Sequence, residues 1–139
     1  MAGPVRPRNL ARELGRGFVF LWFFVGGIAH FAAMQAEMNI VPPYIAHPQA
    51  AVMITGVLEL MGALGLLFKP VRRAAGWGLF ALTIAVTPAN VYMLQHHESF
   101  SVPYWLLVVR LPMQVALLAL IFWSTVRSAP RTDREPAPE

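Results

Sequence analysis

Five polar side chains interrupt four long apolar stretches of this chain. They are His30 in the first, Glu59 in the second, Asn90 in the third, and Arg110 with Gln114 in the fourth. Ionisable groups within hydrocarbon are costly and normally face a bundle interior or a wet cavity. An acid, a guanidinium, an imidazole and two amides that meet could hold a small polar-headed molecule. In that arrangement Arg110 donates to an oxygen of the ligand, Glu59 orients Arg110, and Asn90 and Gln114 offer hydrogen bonds. The same residues could instead act only as interhelical glue, with a Glu59–Arg110 pair fixing helix order. Whether those two pair directly is left open by the sequence.

Neighbours three and four positions away indicate which way each residue faces. Around His30 they include Gly26, Gly27 and Ala33, and around Glu59 they are Thr55, Gly56, Gly62 and Ala63. Asn90 shares its face with Thr83, Val86 and Thr87, and Gln114 is four residues beyond Arg110. Stripes of small or hydroxyl-bearing residues let helices approach closely in a bilayer, so the polar groups are expected to point at each other. Pro88 and Pro112 lie in the same zone. Each removes a backbone donor, freeing the carbonyls of Ile84 and Val108 as acceptors for Arg110, Gln114 or a ligand.

Lipid-spanning helices are the elements required to position such a set. The 139 residues suit one domain, are 57% hydrophobic and only 13% charged, and have mean hydropathy +0.54. A soluble domain carries about 25% charged residues. The expected fold is all-α, a four-helix transmembrane bundle over 14–127, with spans at about 14–36, 49–68, 74–94 and 104–126. Each is near 20 residues, enough for roughly 30 Å of hydrocarbon. A disordered basic N-terminus (1–13) and a disordered tail (128–139) are expected on either side.

Ten of the eleven Lys and Arg residues lie in three segments: Arg6 to Arg16, Lys69 to Arg73, and Arg127 to Arg134. The connections around Glu37–His47 and Gln95–Pro103 have none. Cytoplasmic flanks hold the cations, so both termini are expected in the cytoplasm, in a multi-pass protein of the inner (plasma) membrane. Counted from the outer end at about 1.5 Å per residue, His30, Asn90 and Arg110 lie roughly 6–10 Å deep, and Glu59 and Gln114 roughly 14–15 Å. A central Arg or acid costs about 2.5–3.5 kcal/mol on the insertion scale. Eleven Leu, Ile, Phe or Val residues between Leu106 and Phe122 offset Arg110, and nine in the second span offset Glu59. The short Lys69–Arg73 connection makes spans two and three antiparallel neighbours. The apolar Met38–Ile45 segment, broken by Pro42-Pro43, lies at the outer interface or folds over the bundle as a cap.

Other chemistries fit poorly. The pI near 10.4 is explained by topology, so no nucleic-acid partner is expected. Cysteine is absent, which removes thiol exchange and thiolate metal sites. His96-His97-Glu98 with His47 makes a weak metal set, since adjacent His residues cannot easily reach one ion from a helix. No nucleotide loop or catalytic triad is recognisable. The inner halves of the spans are almost wholly apolar, against a continuous transport path. A cleaved signal at Gly27-Ile28-Ala29 is disfavoured because the apolar run continues past it.

The singled-out residues resemble those of the DoxX-like family of small four-helix membrane proteins. The matching pieces are Gly27-Ile28-Ala29-His30-Phe31, Ile40-Val41-Pro42-Pro43-Tyr44, Gly56-Val57-Leu58-Glu59, Pro88-Ala89-Asn90-Val91-Tyr92-Met93 and Arg110-Leu111-Pro112-Met113-Gln114. The resemblance implies a four-helix transmembrane bundle and, from some members, association with membrane redox systems. A more distant similarity to the quinone-reducing bundle of vitamin K epoxide reductase does not carry its chemistry, which needs a Cys pair. The resulting expectation is a non-catalytic subunit that binds a quinone, a lipid or another small polar-headed molecule, without independent catalytic activity. It would sit in the lipid bilayer beside an oxidoreductase subunit or further copies of itself. The alternative is a purely structural assembly partner of such a complex.

Overall fold

A computed structural model describes residues 7–127. The expected tail at 128–139 and the first six residues lie outside the described residues. Four helices are long and apolar enough to cross a membrane: Leu10–Ala32, Pro48–Gly65, Arg72–Gln95 and Tyr104–Val126. No strand occurs among the described residues.

Helix α1 spans Pro7–Ala32, so residues 7–13 continue the first helix where a basic disordered segment was expected. Pro7 suits a first turn, where its missing N–H is not needed. Leu10 and Leu14 extend the apolar stripe, and Arg16 pairs with Glu13 at 3.0 Å. The helix breaks at Ala33, so 34–36 belong not to the first span but to a short α2 (Met34–Asn39). Helix α3 (Pro48–Gly65) opens on a proline and ends in a turn where Arg72 Nε donates to the Leu66 carbonyl at 2.8 Å. The third span is two helices, α4 (Arg72–Ala85) and α5 (Thr87–Gln95), parted at Val86 just before Pro88. A 3-10 turn (His97–Ser99) leads to α6 (Tyr104–Ile121), which widens into a π-helical segment at Phe122–Val126.

The long helices form a closed ring in the order α1, α3, α4, α6, with α1 lying longest against α3 and the π segment packed on α4 and α1. A glycine stands at every junction of the ring. A Cβ on Gly56 would lie 2.9 Å from His30 Cβ in α1, and one on Gly65 would lie 2.8 Å from Ala75 Cβ in α4. One on Gly76 would collide with Thr125, and one on Gly15 would lie 3.2 Å from Leu120 and Trp123. These bare positions set the close approach of the backbones.

The dry core lies toward the end that carries Lys69 and Arg72. It joins Val19 and Phe23 of α1, Ala63 and Leu66 beside α3, Leu79 of α4 and Ile121 of α6. Elsewhere the molecule is apolar outside: Leu21, Val25, Ile54, Met61 and Val115 are all exposed. Only 17–22% of each span is buried. A surface this greasy suits lipid contact.

Candidate functional site

At the opposite end the ring opens into a cavity of about 890 Å³, and all five intramembrane polar residues line it. The α2 segment and the following Ile40–Ile45 turn also line it, so this connection folds over the bundle as a cap.

The polar residues fall into two groups and a lone cation. In the first group His30 Nε2 donates to Glu59 Oε1 at 3.3 Å, joining α1 to α3. Gly26 and Gly56 make room for this contact, since a Cβ on Gly26 would stand 2.8 Å from Glu59 Oε2. The other ring nitrogen, buried Nδ1, lies 3.3 Å from Glu37 Oε2 of α2 but out of line for a hydrogen bond. That attraction is electrostatic. His30 thus stands between two carboxylates, one on the span and one on the cap.

The second group joins the third and fourth spans. Asn90 Nδ2 donates to Gln114 Oε1 at 2.7 Å, and Gln114 Nε2 donates to the Thr83 carbonyl at 2.6 Å and to Thr87 Oγ1. The α4–α5 break explains the geometry. Thr87 Oγ1 also donates to the Thr83 carbonyl, so the acceptor beside Pro88 is Thr83 O, one residue before the Ile84 carbonyl expected from the proline. Gln114 is almost fully buried and has both amide atoms engaged.

Arg110 is the lone cation. Its only hydrogen-bond partner among the described residues is Met93 Sδ, at 3.6 Å. No carboxylate among the described residues lies within 4 Å of it. A Glu59–Arg110 ion pair, left open by the sequence, is not formed, because α3 and α6 stand diagonally across the ring with the cavity between them.

Glu37 was not anticipated as a member of this set. One signal pointed to it: it is the only acid in the Met34–His47 connection. Its carboxyl is held below the usual carboxylate range, first by the His30 side chain and then by the field of Arg110, against the opposing effect of half-burial. A depressed folded value adds stability that is fully present above the ordinary carboxylate pKa and is lost as pH falls through the folded value. Thermal melts from neutral pH downward should therefore show an acid limb that is shallower in Glu37→Gln. Equal limbs in both proteins would remove Glu37 from the set.

Gly26→Ala tests the first group. The new Cβ must push the Glu59 carboxylate aside, at about 1 kcal/mol of crowding, which the better helix propensity of Ala offsets by a similar amount. The melting temperature should stay close to wild type while the ring resonances of labelled His30 move. Unmoved resonances would mean the His30–Glu59 contact is not made.

No group of three or more His, Asp or Glu suited to a metal ion occurs among the described residues. Four apolar spans around a capped polar cavity are the architecture of a multi-pass membrane protein. The chain belongs to a family described as a domain of unknown function (DUF8561), whose model matches residues 20–126. No curated protein and no solved structure matches it.

Proposed function

We propose that this protein sits in the inner (plasma) membrane with both termini cytoplasmic. Its capped cavity binds a small polar-headed, quinone-like molecule, and it serves as a non-catalytic subunit of a membrane redox system. The observation that carries this reading is Arg110, a cation that faces a roomy cavity and has no carboxylate partner among the described residues. The volume falls within the range of small-molecule sites, about 300–1,000 Å³. Lys69, Arg72 and Arg73 at the far end support a cytoplasmic placement there.

Charge selects the kind of head. Arg110 faces two carboxylates, Glu37 and Glu59, with His30 between them. The four groups sum to zero when His30 carries its second proton and to −1 when it does not. Neither state attracts an anion. A neutral head with both acceptor and donor atoms fits better, a carbonyl oxygen on Arg110 and a hydroxyl near Glu59. Quinone and quinol rings have this character, and the DoxX-like resemblance of the five motifs agrees with a redox setting.

The test is binding of a short benzoquinone analogue to the protein in lipid nanodiscs. One charge-assisted hydrogen bond is worth about 1.5–3 kcal/mol, so Arg110→Gln should weaken binding about tenfold or more, and Glu59→Gln should also weaken it. Normal binding by both variants would overturn the proposal. The saturated Asn90–Gln114–Thr83 network favours a structural role for that group, in line with an assembly subunit. In that second reading gentle-detergent purification yields a stoichiometric oxidoreductase partner, and neither variant changes its yield.

A further inference from the structure

The polar cavity is open on one side, and several residues that line it remain well exposed. They are Phe18, Leu21, Trp22 and Val25 on α1 and Met113 on α6. Exposed apolar side chains of α1 and α6 flank this side of the cavity, so the opening lies along their seam. The glycine spacing accounts for the opening. The α1–α6 junction is drawn tight at Gly15, against Leu120 and Trp123. Nearer the cap this seam has no further glycine. There α1 presents Val25 and Leu21, and α6 presents Met113, to the same space.

The cavity is polar at one end and apolar at the other. His30, Asn90 and Arg110 stand beneath the cap, whereas Phe18, Trp22 and Leu117 line the deeper part. From His30 to Phe18 is twelve residues of helix, about 18 Å.

We propose that the α1–α6 seam is a lateral portal, and that the ligand is an amphiphile with a neutral carbonyl- or hydroxyl-bearing ring and a long apolar tail. The ligand enters from the hydrocarbon layer. Its ring reaches Arg110 and its tail runs down the seam past Val25, Met113 and Leu21. This rests on the binding reading above and adds to it the tail, the route and the source, which is the bilayer and not the aqueous side. The occupant follows from continuity: the apolar groove has no floor of its own but is the lower half of a polar cavity. A tail laid in it leaves the head at the only unpaired cation among the residues lining that cavity.

Two probes separate the readings: a decyl-substituted benzoquinone and its tail-less methyl counterpart. Both are titrated into nanodiscs, with concentrations expressed per lipid so that partitioning cancels. Val25→Trp and Met113→Trp fill the seam at lipid-facing positions. Each should weaken the decyl probe about tenfold, which is about 1.4 kcal/mol, and leave the tail-less probe within about twofold of wild type. A decyl probe with a terminal diazirine should label α1 between Phe18 and Val25 in the unaltered protein, a readout that needs no variant to fold. Undiminished decyl binding in both variants, or labelling confined to α3 and α4, overturns the portal alone. A wild-type protein that holds neither probe overturns the binding reading and the portal together.

Discussion

Replacing His30 by Leu is expected to destabilise the bundle by about 3 kcal/mol, the low end of the cost of stripping one partner from a buried ionic group. His30 is the group that separates Glu59 of α3 from Glu37 of the cap, with nitrogen–oxygen distances of 3.3 Å to each. Without it two carboxylates face each other across a poorly hydrated space. The side chains of His30, Glu59 and Glu37 are 15%, 13% and 26% exposed, so some water reaches them and the upper end of the range does not apply. The double variant His30→Leu, Glu59→Leu should recover most of the loss, since apolar replacement of a whole buried pair is often neutral. Reversible unfolding in mixed micelles reads both. A single variant as stable as wild type would show that the two carboxylates are not held by the imidazole.

The second large effect concerns packing. Gly56→Leu should also cost about 3 kcal/mol, the upper range of overpacking, and Gly56→Ala about 1 kcal/mol. Even the Cβ would stand 2.9 Å from both His30 Cβ and Phe31 Cε2. The remaining three carbons of Leu have no space unless α1 moves away from α3, its most extensive partner. That movement would also break the His30–Glu59 contact. Thermal unfolding and His30 resonances should therefore change together in Gly56→Leu. A stable Gly56→Leu protein with an unmoved His30 would contradict the α1–α3 packing.

Much of this was readable beforehand because each feature has a local cause. The spans follow from apolar run length and the small-residue faces from helical spacing, but each serves the neighbouring helix: Gly26 makes room for Glu59, Gly56 for His30, and Thr83 accepts from Gln114. Span limits shifted by a few residues where turns absorb the ends, as at Leu66–Phe68. The third span was expected unbroken, although Pro88 lies just past its break at Val86, and the break at Ala33 has no proline or glycine to announce it. Partner choice was the larger gap. Helical faces say that Glu59 and Arg110 both point inward, but not that their helices are diagonal. The neighbour across the α1–α3 seam is His30, and only ring order decides that. Glu37 escaped because it belongs to a connection, where periodicity gives no inward direction.

The π-helical turn at Phe122–Val126 has a mechanical meaning for the cavity. Ser124 and Thr125 hydroxyls grip the carbonyls of Leu120 and Ile121 at 2.7 and 2.6 Å, and Thr125 is seated on Gly76. This foot of α6 is clamped, and Gln114 anchors the helix a second time, on Thr83, Thr87 and Asn90. Pro112 leaves the helix softer just beyond that second anchor. Arg110 lies about 22 Å from Thr125 but only one turn from Gln114, so the two anchors together fix where the guanidinium meets the cavity.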